Sequence, residues 1–563
     1  MGIVAGAGLA LWATGELAGW LTSGRWPPVP PDRAGVLLVG VILHPLHPAL
    51  AWPRSAPLQP AGSGPSAAAL SETTLLYGLG ATVVAGVAAL VLLVRGAGRS
   101  VLSGRRGSRR HEPWLLARRG RPSRAAAWAR ASDIAPLAVR RPVPGRLTLG
   151  VAGRHLLSAE PRQSVIVVGP TQTYKTSGFA VPAVLEWEGP VLASSVKADL
   201  VRDTMGWRRR VGEVWLYDPA AGTGLERSGW SPLAGARSWV GAKRVAAGLC
   251  ATARASGGGL SDGDFWYSAA AKLLAPLLYA AASSGRTMSD VVRWVDEQEV
   301  PIVEAVLEEL DVAEALQAAR ATWRRDDRQR SSVYTTAETV IEAFADPVVA
   351  ASAARNDIDP ARFCREGAHT LYLCAPARHQ QRFQPLFSGL VTEVIDAAVE
   401  LAAARGAPLD PPLLVVLDEA ANVAPLGDLD VLAATAAGHG VQLVTVWQDL
   451  AQISARYGQR AATVVNNHRA KVVLSGISDP ATLEHMSALI GEEEVAQSST
   501  TRDQEGRRST TTVTTSRRLA PADSLRRIRP GHGVLVYGYL PPVELRLRPW
   551  REDRTLAGRG AWP

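Results

Sequence analysis

At 563 residues, with 47% hydrophobic and 20% charged side chains, the chain is long enough for a membrane anchor and two or three folded units, which excludes a disordered or fibrous protein. Its three cysteines, Cys250, Cys364 and Cys374, have no metal-clip spacing, and no helix-turn-helix pattern occurs, so neither a disulfide scaffold nor a zinc-based reader of DNA sequence is indicated. The net charge of +9 sits in one place: fourteen arginines from Arg95 to Arg146 face only Glu112 and Asp133, and the remainder is slightly acidic.

Residues 1–22 are apolar apart from Glu16 and a few hydroxyls, and they predict a first transmembrane helix. Residues 23–72, rich in Pro, Gly and Ser, read as an extracytoplasmic loop; Val36–Leu43 within it is too short to span before His44-Pro45 and His47-Pro48 break it. Leu75–Val94 is 20 residues without a charge, enough to cross a hydrocarbon core about 30 Å thick, and predicts a second span over residues 73–95. Two spans with both ends inside is the reading adopted, three spans being the alternative. The arginines follow directly, so the positive-inside tendency places the rest of the chain in the cytoplasm. Residues 96–146 form a basic juxtamembrane linker with two readings. It sets topology and touches anionic membrane lipid, at about 1 kcal/mol per arginine, or it lines the entrance to a DNA channel.

Ser164–Val168 is short, apolar and β-branched, as a buried parallel strand requires. It leads into Gly169-Pro170-Thr171-Gln172-Thr173-Tyr174-Lys175-Thr176-Ser177, and Gly178–Glu186 predicts a helix with Pro182 in its early turns. Strand, loop and helix in this order are the setting of a phosphate-binding loop. Successive backbone N–H groups and the helix start cradle phosphates. Lys175 reaches the β- and γ-phosphates, and the Thr176 hydroxyl ligates Mg2+. Only five of the 61 basic residues are lysines, which favours a chemical need for those that remain. Tyr174 departs from the G-x-x-x-x-G-K-[ST] pattern, where glycine lets the backbone approach phosphates with no Cβ in the way. Either its side chain points outward and the loop survives, or the site is slow or inactive.

Leu413–Leu417 predicts a second buried strand that delivers Asp418 and Glu419 at its C-terminal end. The first carboxylate suits the Mg2+ shell and the second suits polarising the attacking water. A third strand, Val441–Val446, runs into Trp447, Gln448 and Asp449; Gln448 is a γ-phosphate sensor or a plain strand cap. Lys471–Leu474 is a fourth. Before it, Arg469 is a candidate arginine finger for a neighbouring subunit, with a surface ion pair as the alternative and Arg456 as a competitor. Strands alternating with helices imply an α/β fold with a mainly parallel sheet, whose ligands bind at the strands' carboxyl ends.

The NTPase domain divides into a first half, residues 147–234, and a second, 364–551, around an all-α domain over residues 235–363. There, Ser268–Ala282, Ile302–Thr322 and Thr336–Phe344 read as helices. Ser498–Arg518 is too polar to build a core and reads as a mobile loop or a polar hairpin. Gly533–Tyr537 and Val543–Leu547 predict a closing hairpin around Pro541-Pro542, with residues 552–563 as a tail.

Several of these runs are similar to one family. Leu417-Asp-Glu-Ala-Ala-Asn-Val-Ala-Pro-Leu426 resembles the Walker B segment of TraG/TraD-type coupling proteins of type IV secretion, as do Trp447–Ile453, Arg456–Gly458 and Asn466–Gly476. Ser194–Leu200 resembles the family's lysine–acid segment, Ser228–Leu233 its W-x-P-L turn, and Phe265-Trp266 its aromatic pair. The resemblance covers residues 150 to 550. It implies a RecA-like P-loop NTPase with an all-α insert domain and an N-terminal transmembrane anchor, using ATP and Mg2+. It also implies a homo-oligomer, a hexameric ring in the bacterial plasma membrane, multi-pass, with the ATPase cytoplasmic. That ring would pass a relaxase–ssDNA complex or a secreted protein to type IV secretion channel components. By residue, nucleotide and metal roles fall on Lys175 and Thr176, metal on Asp418, water activation on Glu419 and a lesser role on Gln448. A membrane receptor or scaffold that binds nucleotide with little or no turnover is the alternative, and Tyr174 favours it.

Overall fold

Short unbroken apolar runs mark strands covered on both faces, and the computed structural model, which describes residues 125–256, 263–365, 367–374, 380–502 and 508–560, has that architecture. The predicted spans at residues 1–22 and 73–95, the loop between them and the linker up to residue 124 lie outside the described residues. Among the described residues no helix is long and apolar enough to cross a membrane.

Three short strands come first: β1 (Ala138–Val139), β2 (Thr148–Ala152) and β3 (His155–Ser158). The phosphate-loop strand β4 (Val165–Val168) is followed by β5 (Val191–Ser195), β6 (Val214–Tyr217) and, after a long helical segment, β7 (Thr370–Cys374). Next are β8 (Leu413–Leu417), β9 (Val441–Trp447) and β10 (Ala470–Leu474). A separate ribbon, β11 (Glu492–Arg502) and β12 (Arg508–Arg518), precedes β13 (His532–Tyr537) and β14 (Val543–Arg546). Apart from the ribbon they form one sheet in the order β1-β3-β2-β14-β13-β10-β4-β9-β8-β5-β7-β6. Every pair from β10 to β6 is parallel, while β13, β14 and β1–β3 form an antiparallel flank.

Alternate residues of each central strand feed two cores. Val165 and Val167 face one, with α1 (Val181–Glu186) and α2 (Asp199–Val211); Ile166 and Val168 face the other. That second core is shared with the eight α-helices between β6 and β7, from α3 (Trp239–Ser256) and α4 (Gly263–Ser283) to α10 (Pro360–Arg365). The helical segment therefore has no separate core of its own. All three cysteines are buried free thiols.

Four local expectations are refined. The single helix expected over Ile302–Thr322 is two, Pro301–Glu309 and Ala313–Trp323, because Asp311 between them takes a left-handed φ of 50°. Of the two readings for Ser498–Arg518, the polar hairpin is the one that forms, with Thr500 opposite Thr510. Residues 125–146, assigned above to the linker, pack onto the sheet: Ile134 and Leu137 are buried while Arg130, Arg140 and Arg141 stay exposed. The tail likewise folds back as a helix, Arg554–Gly560, that buries Leu556 against α1 and α2.

One buried cation pins the edge of the sheet remote from the loop. Arg208 of α2 donates to the carbonyls of Trp187, Gly189 and Ala368 and to the Thr370 hydroxyl, tying the approach to β5 to the start of β7. Burial among neutral acceptors lowers its pKa to about 10. Arg208→Ala strands these carbonyls in a dry interior, a loss on the order of 3 kcal/mol. The expected result is a lower apparent Tm of the full-length protein by scanning fluorimetry. Arg208→Lys should recover only part of it, since an ammonium cannot match the planar fork.

Candidate nucleotide site

The loop leaves β4 under tight steric control. Gly169 donates its N–H to the Trp447 carbonyl at 3.0 Å, and a Cβ on it would come within 2.8 Å of Leu474 Cβ, so only glycine fits. Thr173 Oγ1 donates to the Pro170 carbonyl at 2.8 Å, closing the loop on itself. Gln172 and Tyr174 adopt left-handed φ values of 63° and 65°. The helix starts at Thr176 with a π turn, Thr176–Ala180, that runs directly into α1. Tyr174 thus occupies the conformation that explains the usual glycine. Of the two readings of Tyr174, the structure has the side chain pointing outward, 39% exposed, with the loop intact.

Lys175 is buried, and its ammonium donates to the carbonyls of Gly169 and Pro170. Burial lowers its pKa, against the opposing pull of Asp418, Glu419 and Asp449. Thr176 Oγ1 donates to Asp418 Oδ2 at 2.7 Å. Asp418 lies at the end of β8, wholly enclosed, and its Oδ1 has no hydrogen-bond partner among the described residues. Burial raises its pKa to about 6, assisted by Glu419 and opposed by Thr176 and Lys175. An enclosed carboxylate with an open lone pair beside a threonine hydroxyl is a donor set that suits a hard divalent cation. Among the described residues no cluster of three His, Cys, Asp or Glu gathers. A cation here would need further oxygens from a phosphate ligand.

Glu419 turns away from the strand at a left-handed φ of 57° and accepts from Asn422 Nδ2 at 3.3 Å. It remains half-buried and lines the same cleft, of about 540 Å3, as the loop and Asp418. The cleft's far wall was not foreseen as part of the site. It comprises Ser195 at the end of β5, Lys197 just after it, Arg202 and Asp203 of α2, and Arg551 beyond β14. Lys197 carried a signal, as one of the few lysines; Arg551, 348 residues from the Asp203 it meets, carried none.

Gln448 follows β9, between the loop strand and the carboxylate strand; its N–H donates to Gln452 Oε1 at 3.0 Å, and it is not among the residues lining the cleft. Arg469 is not brought to the site. It precedes β10, at the opposite end of the strands from the loop, where it pairs with Glu160 at 2.9 Å and covers the Tyr537 ring at 5.5 Å. Within one chain, the ion pair is the arrangement observed. Arg456 is half-buried and donates to the Pro425 carbonyl at 3.2 Å.

A family model described as Type IV secretory system Conjugative DNA transfer matches residues 126–556. The chain belongs to this family. It is a type IV coupling protein of the TraG/VirD4 type. The conjugal transfer protein TraG of Escherichia coli is 25% identical over 377 residues, covering 60% of this chain and 56% of that protein. VirD4 of Rhizobium radiobacter is 22% identical over 416 residues, covering 72% and 59%. The chain thus spans less than two thirds of the length of the curated relatives it matches. In fold it is similar to the conjugative coupling protein TrwB without its first 70 residues, at a TM-score of 0.59 and 18% identity, covering 75% of this chain and 92% of that one. A TrwB structure in complex with ADP and Mg2+ aligns at a TM-score of 0.56 and 19% identity, covering 76% and 93%. This coupling protein therefore has the RecA-like α/β fold.

The elevated Asp418 pKa has a direct consequence. Its folded value of about 6 exceeds the ordinary 3.8, so this group costs folded-state stability as pH rises through that window, and the cost is complete above it. Asp418→Asn should therefore raise the apparent Tm of the metal-free protein at neutral pH. The same variant should lose the further rise in Tm that Mg2+-ADP gives the parent protein.

Proposed function

We propose that this coupling protein is a membrane-anchored, ATP-hydrolysing translocase that drives a relaxase–ssDNA complex, or a secreted protein, into a type IV secretion channel. The observation that carries the proposal is the contact between Thr176 of the phosphate loop and the enclosed Asp418, which has an unpartnered oxygen and lines the same cleft. TrwB, of similar fold, is described in complexes with ADP and Mg2+ and with a non-hydrolysable ATP analogue. Assembly as a hexamer, a multi-pass anchor in the bacterial plasma membrane and contact of residues 96–146 with anionic lipid belong to the same proposal.

In this reading each site residue takes one role. The loop amides and Lys175 bind the phosphates, with the ammonium exchanging its two carbonyl acceptors for phosphate oxygens. Thr176 and Asp418 would hold Mg2+, which supplies charge neutralisation at the transferring phosphoryl group. Glu419, oriented by Asn422, takes a proton from the attacking water. Gln448 orients that water or senses the γ-phosphate from the end of β9. Arg469 serves as a finger in trans, which requires that a neighbouring subunit break its pair with Glu160.

Tyr174 favours a second reading, a nucleotide-binding scaffold with little or no turnover, because its Cβ occupies a position where glycine is usual. ATP turnover by the full-length protein, with and without single-stranded DNA, separates the two. For the translocase, DNA stimulates turnover, and Lys175→Ala lowers kcat on the order of 100-fold or more. No turnover in the parent, with recovery in Tyr174→Gly, would establish the scaffold and overturn the motor.

A further inference from the structure

The phosphate end of the cleft is accounted for by the loop, Lys175 and the two carboxylates. Its other end is bounded by two flat groups that those roles leave unused. The first is the ring of Tyr174. Its Cβ lies close to Gly178, where an added Cβ would come within 3.1 Å of it. The residue is 39% exposed and lines the cleft.

The second group arrives from the C-terminal segment. Trp550 donates its backbone N–H to the Ser177 carbonyl at 3.0 Å, and Arg548 donates to that of Gly178 at 3.4 Å. These bonds fasten the segment to the first turn of the loop helix. Half-buried pairing of Arg548 with Glu186 and Asp553, at 2.7 Å each, fixes it further. Arg551 then sits over the Trp550 ring, its Cζ 4.4 Å from the centroid, with one guanidinium nitrogen 3.4 Å from Asp203 Oδ1. Asp203 is itself positioned by the Trp550 indole, which donates to its other oxygen at 3.0 Å. A guanidinium already held over a ring and paired loses little freedom on binding, and Arg551 lines the same cleft as Tyr174.

We propose, on the basis that this cleft binds a nucleoside triphosphate, that Tyr174 and the Trp550-backed Arg551 are its nucleobase platform. A phenol ring and a planar cation both stack on the π face of a purine or pyrimidine. The departure of Tyr174 from the glycine pattern is then a gain in nucleoside binding that compensates the left-handed strain.

The test is calorimetric titration of the full-length protein with Mg2+-ATP and, in parallel, with Mg2+-tripolyphosphate, which has no base. Tyr174→Leu and Arg551→Ala should each weaken ATP roughly tenfold while tripolyphosphate stays within about twofold, and Tyr174→Phe should bind ATP like the parent. Tyr174→Gly relieves the backbone and should show the same selective loss, so a folding defect in the leucine variant does not blunt the test. Equal weakening of both ligands, or unchanged ATP affinity in the Tyr174 and Arg551 variants, would overturn the platform. Lys175→Ala reports separately: it should abolish binding of both ligands, and if it leaves both unchanged the phosphate-loop assignment itself fails.

Discussion

The hydrogen bond from Thr176 to Asp418 joins two strands that are not neighbours, because β9 lies between β4 and β8. The span is bridged by ladder bonds that continue past the strand ends. Gly169 N–H reaches the Trp447 carbonyl of β9, Asp418 N–H reaches Ser194 of β5, and Ala420 N–H returns to Val446 of β9. Asp418 and Ala420 are thereby clamped to opposite neighbours, and Glu419 between them must turn through a left-handed conformation. Only parallel strands with matched ends place a phosphate loop and a carboxylate pair at one edge, so the remainder of the sheet serves this register.

Holding that geometry has a local cost. Gln172, Tyr174 and Glu419 are three non-glycine residues with left-handed backbone around a single cleft, each worth on the order of 1 kcal/mol of strain. Strain of this kind persists where surrounding packing over-determines it. Here β4, β8 and β9 are buried along their whole length, and the cleft edge has no slack through which to relax. The site is stiff because its frame is.

What could be read from the sequence divides along the range of the interactions involved. β4, β8, β9 and β10 were legible as short, mainly apolar runs, and the β13–β14 hairpin from alternating residues around Pro541-Pro542. Lys175, Thr176, Asp418 and Glu419 were legible because strand ends and the loop pattern assign them locally. β1–β3 were not, since they pair among themselves and with β14, and the only sign of β1 was a few apolar residues among arginines. Asp203 and Arg551 meet across nearly the whole core, a relation that no local pattern encodes. The arginine preceding β10 was assigned to a neighbouring subunit's site, a relation that a single chain does not contain: a residue before a parallel strand lies at the end remote from its own cleft, where Glu160 and Tyr537 hold Arg469.

The two faces of the sheet divide the labour. On one, Val165 and Val167 pack with the loop helix α1, with α2 and with the C-terminal helix, so the elements that line the cleft share a core. On the other, Ile166, Val168, Val415 and Leu417 belong to the core that also takes in the helices following β6. The strands that deliver the loop and the carboxylates are thus the partition between these cores, and each of their residues belongs to one or the other. Interiors packed at this density have few voids in which to absorb a displacement. A shift of β4 or β8 at the cleft is therefore taken up within a core that extends into the helical segment. The phosphate-loop strand and the helical segment are thus linked through one continuous core, the route by which a change at the cleft would reach those helices.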